Sequence, residues 1–251
     1  CTAKKDLETN NHHVSAYGAD ILIKTMPIGI DKEKLIAKTF NPEIDLKVET
    51  LRTAYAGKKI IFGRDRLDSV RGVLQKLQSF DIFLEMFPYW RDKVVLIQVS
   101  TPTGLISSSS SNDNKLERQV MELVNSINTK YGNLDFSPVQ HYHMRIPKDI
   151  YLSLLRVADL CMVTSIRDAI NLTALEYITV QTHESEISKT GKSIKPLILS
   201  EFSGTPLNKE DCYIINPWDS VAVAKTIDNA LQKQYFQVSK EIATTQAKVP
   251  N

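Results

Sequence analysis

Short apolar runs alternate with longer amphipathic stretches along the chain, and this alternation restricts the fold more than any other feature of the sequence. Residues 94–99 read V-V-L-I-Q-V, which predicts a strand buried on both faces. Residues 70–86 carry an apolar stripe at helical spacing, which predicts an amphipathic helix. Further strands are predicted at 21–23, 59–62, 160–163, 196–199 and 212–215, and further helices after Asp31 and at 116–127, 150–157, 170–180 and 221–231. Strands that alternate with helices in this way form parallel sheets with crossover helices on both faces.

The number of strands separates the two α/β architectures that suit a chain of 251 residues. A (β/α)₈ barrel needs eight strands, whereas the six apolar runs found here favour an open sheet. We therefore predict one Rossmann-like domain over residues 1–251, with a doubly wound and mostly parallel sheet. Such sheets bind ligands outside the carboxyl ends of their strands, so a functional site is expected in the loops after Phe62, Val99, Val163 and Leu199.

Charge and cysteine content exclude several classes of partner. The formal net charge is +2 with both signs spread along the chain, which predicts no nucleic-acid partner and no membrane partner. No apolar run is long enough to span a bilayer. Cys1, Cys161 and Cys212 lie far apart, which predicts buried thiols in a reducing cytoplasm rather than disulfides or metal ligands. Because the chain begins with Cys1 and not Met, we expect it to be part of a longer protein.

Three polar segments interrupt the alternating pattern. A serine run ending in Asn and Asp at 107–114, and a segment of mixed charge at 182–193, predict flexible surface loops. The polar residues 232–251 predict a C-terminal helix.

Three arginines follow the strand predicted at 59–62, namely Arg64, Arg66 and Arg71. Guanidinium groups suit phosphate oxygens, so arginines at a strand-to-helix turn are candidates for a phosphate site. The spacing agrees equally well with a helix that Asp68 caps and with arginines in surface ion pairs, and the two alternatives remain open.

A second candidate site follows the strand predicted at 160–163. A helix that begins near Ile170 or Asn171 presents free N–H groups and the positive end of its dipole, which together bind diphosphates. Glu176, further along that helix, is placed to accept hydrogen bonds from ribose hydroxyls. A capped helix with an exposed glutamate is the alternative.

Other catalytic and metal-binding patterns are weak or absent. His141 and His143 alternate, which places both on one face of a strand end, but no third ligand lies nearby at metal-binding spacing. The sequence contains no D-x-D phosphatase motif, no G-x-G-x-x-G turn, no G-x-x-x-x-G-K-[ST] loop and no nucleophile elbow. We therefore predict no metal site and no cofactor.

The residues in these loops resemble those of the trehalose-6-phosphate synthase family, retaining glucosyltransferases of the GT-B fold. Five motifs occur in the order of that family, at 27–31 (PIGID), 66–72 (RLDSVRG), 167–172 (RDAINL, followed by Glu176-Tyr177), 199–204 (LSEFSG) and 216–218 (NPW). The resemblance implies that the chain is the second, donor-binding Rossmann half of a GT-B unit. It also implies that the first half, which holds the glucose 6-phosphate acceptor in this family, lies outside the chain.

The same resemblance implies a vestigial donor-nucleotide site formed by Arg66, Arg71, Asp168, Ala169, Ile170, Asn171, Leu172 and Glu176. Arg66 and Arg71 are implied to meet the diphosphate, residues 168–172 the donor glucose and phosphates, and Glu176 the ribose. The backbone at 144–146 is implied to edge the uracil.

Departures from the family pattern fall on this site. Ser69 replaces a tyrosine, Arg71 a lysine and Ala169 a glycine. Arginine keeps the charge of lysine but is a broad planar fork, so the fit to the ligand changes. Ala169 costs about 1 kcal/mol if its φ is positive, and otherwise its methyl group intrudes on the ligand space. We therefore predict a retained fold with an eroded pocket and no catalytic residue.

Residues 66–72 and 137–161 are most similar to fungal trehalose-6-phosphate phosphatases, in which a synthase-like domain precedes a phosphatase domain. This resemblance implies a non-catalytic domain that serves assembly or regulation of a trehalose synthase complex in the cytoplasm. Its implied partners are the other subunits of that complex, with UDP or UDP-glucose bound weakly. Two alternatives stay open, namely the donor-binding half of an active UDP-glucose:glucose-6-phosphate glucosyltransferase and a regulatory subunit that senses a sugar phosphate.

Overall fold

The computed structural model describes residues 2–5, 12–23, 28–102, 111–183, 193–207, 212–233 and 236–237. Its strands are β1 (Thr2–Lys5), β2 (His12–Ala16), β3 (Ala19–Ile23), β4 (Lys59–Arg66), β5 (Val94–Thr101), β6 (Val139–Tyr142), β7 (Leu160–Val163), β8 (Ser193–Ile194), β9 (Leu197–Ser200), β10 (Tyr213–Ile215) and β11 (Phe236–Gln237). Its helices are α1 (Lys32–Thr39), α2 (Pro42–Ala54), α3 (Val73–Met86), α4 (Ser111–Tyr131), α5 (Lys148–Val157), α6 (Leu172–Gln181) and α7 (Ser220–Lys233), with a 3₁₀ turn at Pro88–Trp90.

Six of the strands form one parallel sheet in the order β6-β5-β4-β7-β9-β10. This is the doubly wound order of a Rossmann fold, so the prediction of an open, parallel sheet is confirmed. The direction of winding reverses between β4 and β7, where Ile61 and Phe62 pair with Leu160 and Cys161. Ligands bind at such a switch point because the connections leave the sheet on opposite faces and a crevice remains open between them.

Helices cover both faces of the sheet. On one face, α1, α2, α5 and α6 pack around a core that includes Phe62, Leu155 and Tyr177. On the other face, α3, α4 and α7 pack around a core that includes Phe80 and Ile227. The apolar runs of β5 and β7 are buried on both sides, as expected for central strands of a parallel sheet. Among the described helices, none combines the length and apolar character needed to cross a membrane.

A glycine decides where α3 begins. The helix was predicted from residue 70 but starts at Val73, because Gly72 has a φ of +68° and interrupts the helical backbone. A Cβ atom on Gly72 would lie 1.9 Å from the backbone oxygen of Thr164, so a side chain does not fit there. The apolar stripe predicted for this helix is otherwise confirmed, since Leu77 and Phe80 are fully buried.

The strand predicted at 21–23 belongs to a different sheet from the one expected. β1, β2 and β3 form a separate three-stranded antiparallel sheet, and every residue of β3 is exposed. Tyr17 and Gly18 both have positive φ and make the two-residue turn that pairs β3 with β2. The sixth strand of the parallel sheet is instead β6, which pairs with β5. An apolar run thus predicts a strand without predicting its partner.

The loop predicted at 107–114 is wrong at residues 111–114, which form the first turn of α4. Ser, Asn and Asp are favoured at helix N-termini as well as in loops, so the composition alone does not separate the two. Residues 107–110 lie outside the described part of the chain. Of the loop predicted at 182–193, residues 182–183 follow α6 and Ser193 belongs to β8, while 184–192 are not described.

The prediction of a helix over 232–251 is also wrong at the described residues that follow α7. Residues 232–233 end α7, but 236–237 form β11, which pairs antiparallel with β8. An aromatic residue such as Phe236 favours a strand, and here it pairs with the buried Ile194. Residues 234–235 and 238–251 lie outside the described residues.

Candidate functional site

A cavity of about 750 Å³ opens at the switch point, beside the carboxyl ends of β4 and β5 and the first turns of α5 and α6. Its wall is formed by Arg64, Asp65, Arg66, Arg71, Thr101, Pro102, Arg145, Ile146, Lys148, Tyr151, Ile170, Asn171, Leu172, Thr173 and Glu176. The cavity therefore lies where the sheet order predicts a ligand site. Its volume suits a small organic ligand.

Hydrogen bonds join the three loops next to this cavity. In the loop after β4, the backbone oxygen of Val70 accepts from the N–H groups of Ile166 and Arg167, at 2.9 and 3.2 Å. The loop after β9 reaches the same segment, because Gly204 N donates to Asp168 O at 3.0 Å. The loops after β4, β7 and β9 are therefore held together as one unit.

Asn171 caps α6 at the cavity wall, close to the helix start that the sequence predicts. Its side-chain oxygen accepts from Ala174 N at 3.0 Å, and its own N–H donates to Thr205 Oγ1 at 2.8 Å. Its side-chain nitrogen donates to Asp168 Oδ2 at 3.0 Å. Asn171 therefore caps the helix and also lines the cavity.

The two arginines predicted for a diphosphate line the cavity and already form ion pairs. Arg71 pairs with Asp168, whose side chain is only 5% exposed, through the carboxylate oxygen that Asn171 also contacts. Arg66 is exposed and pairs with Asp68 at 3.0 Å. The sequence left open whether these arginines bind phosphate or form ion pairs; both line the cavity, and both are in ion pairs. We call Arg66 and Arg71 the paired group.

Three further basic side chains, Arg64, Arg145 and Lys148, line the same cavity. All three are exposed, and none forms an ion pair with another described residue. We call them the unpaired group. Arg145 and Ile146 belong to the segment implied to edge the uracil, whereas Lys148 was not singled out from the sequence.

Glu176, implied to hold a ribose, contacts a tyrosine that the sequence did not reveal. The Tyr151 hydroxyl donates to Glu176 Oε2, and both residues line the cavity. The Arg64 guanidinium lies 4.6 Å from the centre of the Tyr151 ring, and the ring of Phe62 packs against that ring at 6.1 Å. Burial, and then the charge of Glu176, raise the pKa of Tyr151 well above its ordinary value, so its hydroxyl stays a donor.

A buried charge pair lies under the cavity. Lys76 Nζ is 2.6 Å from Asp65 Oδ2, and both side chains are withdrawn from solvent. Gln98 completes the network, since its oxygen accepts from Lys76 and its nitrogen donates to Asp65, both at 3.1 Å. A Cβ atom on Gly63 would lie 2.3 Å from Gln98 Oε1, so the network needs a glycine in β4. No sequence pattern indicates this network, because β4, α3 and β5 each contribute one partner.

The two histidines predicted on one face of a strand end lie at the side of this network. Ser100 Oγ is 2.9 Å from His141 Nε2, and the rings of His141 and His143 stack with centres 6.4 Å apart. Burial lowers the pKa of His141 to about 4, with the neighbouring His143 as the second cause. His143 Nδ1 lies 2.9 Å from Glu117. In the part of the chain that the structure describes, no three His, Cys, Asp or Glu side chains are grouped to hold a metal ion.

Six of the eight predicted site residues line the cavity, namely Arg66, Arg71, Ile170, Asn171, Leu172 and Glu176. Asp168 is instead the carboxylate partner of Arg71. Ala169 is exposed and outside the wall. Among the described non-glycine residues, Tyr17 and Asp92 are the ones with positive φ, so the backbone strain that was one alternative for Ala169 does not arise.

Comparisons with known proteins agree with this fold. The trehalose-phosphatase of Saccharomyces cerevisiae is 57% identical over 234 residues, which cover 92% of this chain and 26% of that protein. The structure of the N-terminal domain of Candida albicans trehalose-6-phosphate phosphatase is 48% identical, with a TM-score of 0.77, over 94% of this chain and 47% of that one. An α,α-trehalose-phosphate synthase (UDP-forming) from Burkholderia xenovorans, solved in complex with glucose-6-phosphate, is 25% identical, with a TM-score of 0.80, over 98% of this chain and 50% of that one.

The match to a family extends over nearly the whole sequence. The chain spans about a quarter of the length of the curated trehalose-phosphatases it resembles and about half of the two solved structures. The family model of glycosyltransferase family 20 matches residues 1–250. The chain therefore belongs to glycosyltransferase family 20.

Proposed function

We propose that the chain is the second Rossmann half of the synthase-like domain of a trehalose-phosphatase, and that it serves assembly or regulation of a trehalose synthase complex without transferring glucose itself. The identities of 57% to a trehalose-phosphatase and 48% to the N-terminal domain of another support this assignment over the more distant synthases. The phosphatase activity of the larger relatives belongs to whole proteins of which this chain matches about a quarter. The partners are the other subunits of the complex.

The ion pair between Arg71 and Asp168 supports the proposal that the domain does not transfer glucose. Transfer from a nucleotide sugar requires cations that stabilise the leaving diphosphate in the transition state. Arg71 is already paired with Asp168, and Asn171 contacts the same carboxylate oxygen. A diphosphate must draw Arg71 away from a nearly buried carboxylate, and leaving such a group without its cation is costly. The transition state is stabilised less as a result.

The rival candidate is the donor-binding half of an active UDP-glucose:glucose-6-phosphate glucosyltransferase, and one observation favours it. Arg71 Nε is buried and has no hydrogen-bond partner among the described residues, so one donor of the guanidinium remains for an anion. Arg66, Asn171 and Glu176 also line the cavity. In this candidate the cations stabilise the leaving UDP, and no protein nucleophile takes part.

An activity assay separates the two candidates. UDP release from UDP-glucose and glucose 6-phosphate is measured with the longer protein that contains this chain, beside its Arg66→Ala variant. The proposal expects equal background rates from both proteins, whereas UDP release that depends on Arg66 supports the rival candidate and refutes ours. Assembly is measured in parallel, as co-purification of the same longer protein with a synthase subunit.

The cytoplasm is the compartment we propose for this domain. Cys161 and Cys212 are buried as thiols in the same apolar layer of the fold, the one that includes Phe62 and Tyr177. Burial raises the pKa of Cys161 to about 12, so this thiol stays protonated and unreactive. Buried thiols of this kind suit a reducing compartment.

A further inference from the structure

The unpaired group brings three positive charges to the cavity, and none of them is held in an ion pair with a described residue. Arg64, Arg145 and Lys148 form no ion pair with any other residue in the described part of the chain. The paired group differs, because Arg66 is held by Asp68 and Arg71 by Asp168, so an anion has to compete with these carboxylates. An anion that enters the cavity therefore gains most from the unpaired group, where no existing ion pair has to be broken.

The surroundings of Tyr151 suit a nucleobase poorly. Of the described residues in the cavity wall, Tyr151 supplies the one aromatic ring on which a base can stack. The Arg64 guanidinium already lies over that ring, and the ring of Phe62 packs against it. A base that stacks on Tyr151 has to displace Arg64 and forfeit its cation–π contact.

The acceptor beside them suits sugar hydroxyl groups. Glu176 accepts from Tyr151 through Oε2, while its Oε1 accepts no hydrogen bond from the described residues. Tyr151 thereby fixes the carboxylate with one oxygen left for a ligand. Basic side chains bind phosphate through charge-assisted hydrogen bonds, and an ionised carboxylate is an acceptor only, so it binds the hydroxyl groups of a ligand.

We propose that this cavity binds a phosphorylated sugar in place of a nucleotide sugar. The phosphate contacts Arg64, Arg145 and Lys148, a sugar hydroxyl donates to Glu176, and Tyr151 is the positioning residue. The cavity of about 750 Å³ has room for such a ligand. Binding makes the domain responsive to the level of that sugar phosphate. The inference rests on the proposed function, because a chain that transfers glucose needs the same cavity for its nucleotide donor.

Calorimetric titrations of the 251-residue chain test the ligand class. Glucose 6-phosphate is the probe, and glucose, inorganic phosphate and UDP are titrated separately at low ionic strength. We expect saturable binding of glucose 6-phosphate, binding of phosphate weaker by about tenfold or more, and no binding of glucose. The affinity for glucose 6-phosphate should fall as salt is added, because the contacts are ionic and exposed. No binding of glucose 6-phosphate, or tighter binding of UDP, overturns the proposal.

Variants of the unpaired group show whether the probe occupies this cavity. Arg64→Met and Lys148→Met should each weaken glucose 6-phosphate binding by about tenfold, the typical loss for one charge-assisted contact. Lys225→Met removes an exposed lysine of α7 outside the cavity wall and should leave the affinity unchanged. Binding that survives in both cavity variants places the probe elsewhere and refutes the assignment.

Failure of this inference is distinguishable from failure of the proposed function. Arg66-dependent glucose transfer by the longer protein contradicts the proposed function, whatever the titrations show. Absence of transfer together with tighter binding of UDP leaves the proposed function standing and removes the sugar-phosphate site. Tyr151→Phe adds a readout specific to positioning, since it should weaken glucose 6-phosphate while leaving inorganic phosphate unchanged. Equal weakening of both ligands contradicts the positioning role of Tyr151.

Discussion

The paired and unpaired groups line one cavity, yet the fold uses their charges in different ways. Arg71 is held by Asp168 within loops that hydrogen-bond to one another. Arg64 and Lys148 are exposed and have no carboxylate partner among the described residues. Contacts of the first kind stabilise the fold, whereas charges of the second kind remain for a ligand. Substitutions around the paired group should therefore cost stability, and those in the unpaired group should cost binding.

Lys76→Met should cause the largest loss of stability, under the loop that carries the paired group. It leaves the Asp65 carboxylate buried without its cation, which costs about 3–5 kcal/mol of unfolding free energy. Urea denaturation followed by circular dichroism measures this loss. The double variant Lys76→Met with Asp65→Leu should regain most of the lost unfolding free energy, because removing both charges costs far less than removing one. Equal losses in the single and double variants contradict the buried pair as the cause.

Gly72→Ala should have the next largest effect, because Gly72 joins the loop of the paired group to the loop after β7. Its φ is +68° and a Cβ atom would lie 1.9 Å from Thr164 O, so both backbone strain and a clash arise. We expect a loss of about 2–4 kcal/mol in the same denaturation experiment.

Gly57→Ala is the matched control for that prediction. Gly57 has a φ of +75°, but nothing lies within 4 Å of the position of its Cβ atom. Only backbone strain arises at Gly57, and the expected loss of unfolding free energy is about 1 kcal/mol. If the two variants lose the same amount of unfolding free energy, the contact between Gly72 and Thr164 adds nothing to stability, and the loop of the paired group is not held by it.

Sequence patterns predicted the parts of this molecule that depend on local periodicity and on short motifs. The buried run at 94–99 became β5, and the motif residues Arg66, Asn171 and Glu176 line the cavity. The alternation of apolar runs was enough for the strands β4, β5, β7, β9 and β10, but it missed the edge strand β6, which is only partly buried. Motif residues lie at strand ends, so the topology brings them together.

Contacts between distant elements could not be predicted. Tyr151 lies 25 positions before Glu176 and belongs to no motif, and only the packing of α5 beside α6 joins them. Lys76 appears in the sequence as one more polar position on an amphipathic helix, yet it is fully buried against Asp65. Polarity predicts exposure except where a tertiary partner compensates the charge, and that partner cannot be identified from local patterns.

A pH dependence of about 1–2 kcal/mol should follow from His141, beside the buried network under the paired group. Burial lowers its pKa to about 4 in the folded protein, whereas the unfolded chain takes up the proton near pH 6.5. The unfolded state thus binds more protons between these values, and stability falls as the pH is lowered from 7 towards 4. The magnitude is discounted because the ring is partly exposed.

Unfolding free energies measured between pH 7 and pH 4.5 check this prediction. His141→Gln removes the titrating group and should flatten the part of the slope that His141 contributes, while carboxylates supply the rest in both proteins. Identical slopes for the two proteins contradict the buried, neutral state of His141.

Arg145→Met should have the smallest effect on stability, and the sign of that effect is the sharpest test of the comparison. Arg145 lines the cavity with Arg64 and Lys148, and none of the three forms an ion pair with a carboxylate of the described residues. Removing one of three like charges relieves repulsion, so the unfolding free energy should stay unchanged or rise by a few tenths of a kcal/mol at low salt. The gain should vanish at high salt, where exposed charges are screened from one another. A loss of more than about 1 kcal/mol is the size expected for a residue with a stabilising partner, and would move Arg145 from the unpaired to the paired group.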